Sequence, residues 1–302
     1  MTRRFAIASA LAAGTGACAS APRAETAEVR SGDARIAVRT LGEGAPVLLI
    51  PSLARGAEDF DALASALAGN GFQVILPDPR GIGGSSGPEP ASLADLADDA
   101  AAVIDQVAHG APVDVVGHAF GQRVARMLAA RHPAKVRNLV LLAAGGRVPM
   151  PEDVRQSLVL SVSQGAAPDA ERLSALQHVF FARGQDARVW LSGWTPDAAR
   201  TQSAATQATC VDEWWGGGAA PVLVVQALED PIAPPENAEA LAREFGERVR
   251  VVRLPHASHA ILPEQPEAVA VVVTAYLNGL RDPLVLQRLV DETVQAPAFG
   301  AR

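Results

Sequence analysis

An acidic residue and a histidine, each placed shortly after an apolar run, are the side chains best suited to chemistry. Asp230 follows the run that ends near Gln226, and His259 follows the run that ends near Leu254. A carboxylate next to an imidazole forms a general base, which takes a proton from water or from a substrate. Carboxyl ends of parallel strands meet at one edge of a sheet, so both side chains are expected there.

A five-residue turn earlier in the chain predicts where this pair acts. The segment 117–121, Gly-His-Ala-Phe-Gly, follows an apolar run and precedes a helical pattern. Its glycines permit a sharp turn, whose central residue is strained by roughly 1–3 kcal/mol. A serine at the centre would be a nucleophile for acyl transfer, but Ala119 has only a methyl group. The turn therefore predicts the place of the chemistry without supplying its nucleophile.

Short β-branched runs alternate with longer Ala/Leu segments from about Ala34, which predicts an α/β fold. The expected architecture is a mostly parallel central sheet flanked by helices. The predicted strands are 35–39, 46–50, 73–77, 113–117, 138–143, 221–226 and 249–254. The predicted helices are 58–68, 92–108, 121–131 and one from Glu264 or Pro266 to Leu280, followed by an amphipathic tail.

The alternation stops near Gly146 and resumes at Pro221, and the segment 147–218 between them predicts helices without a strand. This predicts a helical cap on a core formed by 26–146 and 219–281, with 282–302 as the tail. The cap segment holds all four tryptophans, which either line an apolar pocket or pack the cap onto the core (Trp190, Trp194, Trp214 and Trp215). Trp214 and Trp215 are the preferred substrate-binding residues, because they precede three glycines.

Five motifs in this order resemble those of the α/β-hydrolase superfamily, in its capped esterase and lactonase-like branch. The turn at 117–121 is similar to the G-x-S-x-G nucleophile elbow, with Ala119 in the place of serine. Segment 78–85 is similar to the D-x-R-G-x-G-x-S segment, and segment 50–54 stands where the family has His-Gly. The loops at Asp230 and His259 resemble the acid and histidine loops. The resemblance covers about residues 34–280.

The resemblance implies an α/β-hydrolase fold with the cap inserted after the sixth strand, and hydrolysis of an ester, lactone or related bond without a cofactor. It implies that Asp230 and His259 are catalytic and that the backbone N–H groups of Leu53 and Phe120 form an oxyanion hole. It also implies that His118 lines the pocket or packs beside it, and substrate binding is the role assigned to this residue.

The absence of a serine hydroxyl at Ala119 leaves three interpretations. The preferred one is an enzyme that uses Asp230 and His259 as a general-base dyad on a small apolar carbonyl compound. The second is a ligand-binding protein without turnover. The third is a serine esterase that has been inactivated by a Ser→Ala change.

Charge and composition narrow the partners. The net charge is −7 and Lys135 is the only lysine, which disfavours nucleic acid and favours a small-molecule ligand. His256 and His259 have metal-ligand spacing, but nothing supplies further ligands, so no metal is expected. The oligomeric state is left open. Cys210 is expected to be a buried, inert thiol.

The first residues resemble a targeting segment. Arg3 and Arg4 precede a short apolar stretch, and small residues at 19–21 offer a cleavage site, so 1–21 is predicted to be an export signal. Cys18 resembles the lipid-anchored cysteine of bacterial lipoproteins. The expected location is the periplasm, with membrane anchoring at Cys18 or a cytoplasmic protein as alternatives.

Overall fold

A computed structural model describes residues 24–295, so the predicted export signal and Cys18 lie outside the described residues. The sheet has eight strands in the order β1-β2-β4-β3-β5-β6-β7-β8. Strands β1 and β2 pair antiparallel, β2 is antiparallel to β4, and the remaining neighbours are parallel. The strands are β1 (Glu25–Ser31), β2 (Ala34–Leu41), β3 (Ala45–Ile50), β4 (Phe72–Pro77), β5 (Val113–His118), β6 (Val136–Leu142), β7 (Val222–Ala227) and β8 (Val249–Leu254).

Helices cover both faces of this sheet. The helices are α1 (Asp61–Gly69), α2 (Leu93–Val107), α3 (Phe120–Arg131), α4 (Glu152–Ser161), α5 (Asp169–Val179), α6 (Pro196–Gln207), α7 (Glu236–Phe245), α8 (Ile261–Glu264), α9 (Pro266–Leu277) and α10 (Pro283–Gln295). Helices α4, α5 and α6 lie between β6 and β7. Every residue of β5 and β7 is buried, as expected for central strands with helices on both faces.

The predicted fold class is confirmed, including the helical insertion after the sixth strand. Strand β1 is an addition to the predicted set: only Val29 is buried in it, so it carries no apolar alternation that the sequence could show. The tail whose order was left open contains α10, which buries Leu286 and Val290.

The prediction of a buried Cys210 is wrong, because this residue is exposed where the chain turns from α6 towards β7. Within residues 24–295, none of the helices has both the length and the apolar character that a membrane span needs.

Candidate active site

The turn at Ala119 joins β5 to α3 and is held in a strained conformation. Ala119 has φ 50° and ψ −111°, a left-handed backbone that is costly for any residue except glycine. The neighbouring glycines are required by contact: a Cβ on Gly121 would stand 2.1 Å from the carbonyl oxygen of Ile50. A Cβ on Gly117 would stand 2.6 Å from the backbone of Gln122. The sequence therefore folds into the predicted elbow, with the Ala119 methyl at its apex.

Asp230 and His259 meet at the carboxyl edge of the sheet, after β7 and β8. The Nδ1 atom of His259 lies 2.8 Å from Oδ2 of Asp230, and both residues are buried. The other carboxylate oxygen, Oδ1, accepts the backbone N–H groups of Ile232 and Ala233 at 2.9 and 2.8 Å. Because a carboxylate accepts, Nδ1 donates, and Nε2 is the nitrogen left to accept a proton. No residue among those described bonds Nε2, which stays accessible.

His118 packs against His259 and does not line the cavity. Its side chain is fully buried, and its Nε2 donates to the backbone carbonyl of His259 at 2.8 Å. Burial, and after it the neighbouring His259, lowers the pKa of His118 to about 3, so the ring is neutral at physiological pH. The assignment of His118 to substrate binding is therefore corrected: the ring fixes the loop that carries His259.

The two residues whose backbone amides the sequence assigns to an oxyanion hole both lie at the cavity. Leu53 and Phe120 line the same cavity as Ala119 and His259. Phe120 is the first residue of α3, and the first N–H groups of a helix have no acceptor within it. Neither amide finds an acceptor in the part of the chain described here. Both N–H groups are thus available to bind an oxyanion, as the sequence interpretation requires.

A cavity of about 360 Å³ joins these groups, a size that suits a small molecule. Phe180, from the end of α5, closes it from the cap side, and Met150 and Leu158 add an apolar wall. Ser52 also lines the cavity, and its hydroxyl makes no hydrogen bond with any described residue. Among the described residues, no group of three or more His, Cys, Asp or Glu is arranged to hold a metal.

Trp214 and Trp215 lie elsewhere, which corrects their assignment to the substrate pocket. Both belong to the buried core under α3 and contact the guanidinium of Arg126. The indole N–H of Trp215 donates to Glu244 at 2.7 Å. Gly146 makes room for the Trp215 ring, because a Cβ there would lie 2.3 Å from it. The pair therefore packs the chain at the end of the cap against the core.

The other aromatic residues tie the cap to the dyad. Phe180 lies 5.3 Å from Trp190 and 5.5 Å from the ring of His259, centroid to centroid. The guanidinium of Arg55 lies 4.8 Å from the Trp190 ring and 4.9 Å from the Trp194 ring. Of the two interpretations of these tryptophans, the structure favours packing for Trp190 and Trp194.

Two hydrogen bonds and one buried carboxylate join the cap to the His259 loop. The backbone N–H of Ala260 donates to the carbonyl of Phe180 at 2.8 Å. Glu264 accepts the N–H of Ala182 at 2.6 Å and the N–H of Ser258 at 2.7 Å. Burial raises the pKa of Glu264 to about 7 despite these two donors. The loop is thus positioned by the cap as well as by the sheet.

Segment 78–85 supports the site without lining it. The Ser85 hydroxyl donates to the carbonyl of Asp78 and accepts the N–H of Ala37, each at 2.8 Å. Arg80 forms an ion pair with Asp99 on α2. These contacts hold the loop after β4 in place.

A family model described as the alpha/beta hydrolase fold matches residues 45–266. The chain belongs to the α/β-hydrolase family. In this chain the apex of the elbow carries the methyl group of Ala119.

Relatives and solved structures agree with this membership. This α/β-hydrolase is 30% identical over 237 residues to a pimeloyl-[acyl-carrier protein] methyl ester esterase of Neisseria meningitidis, covering 74% of this chain and 73% of the relative. It is 28% identical over 252 residues to a pyrethroid hydrolase of Sphingobium wenxiniae, covering 77% and 87%. The enol-lactonase structure from Burkholderia xenovorans superposes with a TM-score of 0.70 at 21% identity, over 83% of this chain and all of that one, which shows the fold alone.

Phe180, which the sequence places near the cap tryptophans, lines the cavity. Several other lining residues are not assigned to the site from the sequence, and Ser52 among them is ordinary in type and carries no spacing signal. Arg123 lies in the cavity and could have been found, since it stands four residues after Ala119 and so on the same face of α3.

Proposed function

We propose that this α/β-hydrolase cleaves a small ester, lactone or related carbonyl compound by general-base activation of water. The observation that carries the proposal is the Asp230–His259 pair, 2.8 Å apart, which shares one cavity with two unpaired backbone amides. A pocket that only bound a ligand would have no need for an imidazole held by a carboxylate with one nitrogen left free. The names of the relatives, an esterase and a hydrolase, support the same class of reaction.

The reaction follows from the positions of these groups. Water occupies the space that a serine Oγ would fill above Ala119, and Nε2 of His259 removes one of its protons. The resulting hydroxide attacks the substrate carbonyl, and the oxyanion accepts hydrogen bonds from the N–H groups of Leu53 and Phe120. The imidazolium, stabilised by Asp230, then gives its proton to the leaving alkoxide. The products are a carboxylic acid and an alcohol, and no acyl-enzyme forms.

The missing hydroxyl restricts the substrates. In a serine hydrolase, loss of the serine alone lowers kcat by about a millionfold, while the oxyanion hole and binding retain about a thousandfold to ten-thousandfold acceleration over water. Useful turnover by the dyad therefore requires a carbonyl that is already reactive, such as a strained lactone or an ester with a good leaving group. A 1,3-dicarbonyl compound meets the same requirement: hydroxide attack on one carbonyl breaks the C–C bond, and the enolate that leaves takes the proton from the imidazolium.

The alternative is a protein that binds the same class of compound without converting it, and the methyl group of Ala119 favours that alternative. Both functions use the same cavity and differ in whether His259 transfers a proton. The third interpretation, an inactivated serine esterase, requires that a serine at this position restores activity.

The test is His259→Ala, assayed against a panel of esters, lactones and 1,3-dicarbonyls with binding measured in parallel by thermal shift. The matched control is His256→Asn, because His256 lies exposed on the same loop with φ 55° and asparagine tolerates that backbone. We expect turnover to disappear in His259→Ala, while binding persists and the control keeps both. Unchanged turnover in His259→Ala would exclude the dyad, and binding without turnover in the unmodified protein would favour the binding function.

A further inference from the structure

The floor of the catalytic cavity carries a positive charge that the protein does not neutralise. Arg123 lines the cavity one helical turn after Ala119. Within residues 24–295 its guanidinium forms no hydrogen bond and no ion pair, and its nitrogens stay accessible. In a chain of net charge −7, almost every other buried or half-buried arginine has an oxygen acceptor, so this exception calls for a ligand.

The surroundings of Arg123 hold it in place without offering an anion. Its guanidinium lies 5.5 Å from the centroid of the Trp214 ring, and Arg126 lies over the same ring at 4.6 Å. Burial lowers the pKa of Arg123, and no neighbouring carboxylate acts against that shift. Arg126 uses its N–H groups on oxygens of the protein, including the carbonyl of Trp215 at 3.2 Å. Two adjacent cations thus make this end of the cavity attractive to an anion.

The rest of the cavity wall does not supply an anion for Arg123. None of the described residues that line it is an aspartate or a glutamate. The second arginine of the wall, Arg155, is exposed and bonds Glu152 at 2.9 Å, so its charge is already matched. Arg123 is therefore the one guanidinium of the wall that remains without a partner among the residues described.

We infer that Arg123 binds a carboxylate of the substrate, so that the substrate class is a short acyl compound carrying a free carboxylate in addition to its ester or lactone bond. This inference rests on the proposed function of the same cavity. The planar guanidinium offers two parallel N–H donors, which is the geometry that a carboxylate accepts. Arg123 and Ala119 are separated by one helical turn, about 6 Å along the axis, so a short carbon chain connects the two groups of such a substrate.

The inference is tested by binding, which needs no turnover. Monomethyl glutarate and dimethyl glutarate differ in one negative charge and are otherwise closely similar. Isothermal titration of both ligands is carried out with the unmodified protein, Arg123→Gln, Arg123→Lys, Arg155→Gln and the control Arg131→Gln. Arg131 lies on the same helix, outside the cavity, and pairs with Asp98.

We expect the unmodified protein to prefer the monoanion by about tenfold to a hundredfold, as charged hydrogen bonds typically give. Arg123→Gln should remove this preference, Arg123→Lys should keep part of it, and Arg131→Gln should keep all of it. A preference that survives Arg123→Gln, or that disappears in Arg155→Gln instead, overturns the inference. So does an unmodified protein that binds neither ligand or binds both equally.

Two outcomes separate this inference from the proposed function. If the preference depends on Arg123 but no compound of the panel is turned over, the anion site stands and the catalytic proposal fails. If turnover depends on His259 while charge makes no difference to binding, the catalytic proposal stands and the anion site fails. Arg123→Lys, together with a melting curve for each variant, keeps the test valid even if Arg123→Gln unfolds.

Discussion

Adding one oxygen atom at the elbow tests whether the rest of a serine hydrolase is in place. Ala119 already has the strained backbone of the elbow, with φ 50° and ψ −111°, so Ala119→Ser introduces no new backbone strain. The new Oγ would enter the cavity that holds His259. Asp230 already orients the ring through its 2.8 Å bond to Nδ1, which leaves Nε2 as the nitrogen that would accept the serine proton.

The gain in kcat that we expect from Ala119→Ser has an upper and a lower limit. Loss of the serine from a complete triad costs about a millionfold in kcat, which is roughly 8 kcal/mol at 1.36 kcal/mol per factor of ten. Gain of the serine in a complete site should recover up to that amount. Pro51 and Ser52 stand where the family motif has His-Gly, beside the amide of Leu53. We therefore expect a gain in kcat between a thousandfold and a millionfold, on the order of 4–8 kcal/mol.

The assay is hydrolysis of p-nitrophenyl acetate by purified Ala119→Ser, followed in the first seconds. A burst of p-nitrophenol equal to the enzyme concentration would report an acyl-enzyme, which the unmodified chain cannot form. The double variant Ala119→Ser/His259→Ala should lose the burst, and Ala119→Ser/His256→Asn should keep it. A folded Ala119→Ser protein with a gain below tenfold would refute the reasoning, since it would mean that the amides of Leu53 and Phe120 do not reach the oxyanion or that His259 does not reach the new hydroxyl.

Two further predictions concern stability. Glu264 has a pKa of about 7 in the folded protein against an ordinary value of 4.5, so its contribution to stability is complete below pH 4.5 and is lost as the pH rises to about 7. The loss is about 3 kcal/mol at most. The free energy of unfolding, measured with urea, should therefore be lower near pH 8 than near pH 5, and this difference should become smaller in Glu264→Gln. A fall that is equally steep in Glu264→Gln would contradict this assignment. Gly121→Ala should lower the free energy of unfolding by about 1–3 kcal/mol or more, because its methyl group would overlap the Ile50 carbonyl. In the control Gly69→Ala the new methyl group meets nothing within 4 Å, so this variant should not be destabilised. Equal melting temperatures for the two variants would contradict the steric argument.

The sequence predicts well the elements in which close backbone contacts allow only certain residue types. The elbow requires Gly121 because α3 approaches Ile50 at the end of β3, and Gly117 because β5 approaches Gln122 at the start of α3. Both requirements are visible in the sequence as a motif. Asp230 and His259 could be paired from sequence because both follow parallel strands, and such strands end at one edge.

The wrong or missing assignments have a different physical origin. Trp214 and Trp215 were placed in the pocket because of the neighbouring glycines, but Gly146, far away in sequence, provides the space that holds the Trp215 ring in the core. An arginine on a helix is normally a solvated charge, and only the three-dimensional structure shows that Arg123 has no partner within residues 24–295. Strand β1 pairs through its backbone and buries one side chain, so it leaves almost no hydrophobic signal.

The attachment of the cap to the His259 loop determines how a ligand can enter. The carbonyl of Phe180 and the N–H of Ala182 are both bonded to the stretch that carries the imidazole, through Ala260 and Glu264. If this part of the cap moved outward, these bonds would pull the imidazole of His259 away from the cavity. We therefore expect ligands to enter on the α4 side, near Met150 and Leu158, because the end of α5 is bonded to the His259 loop.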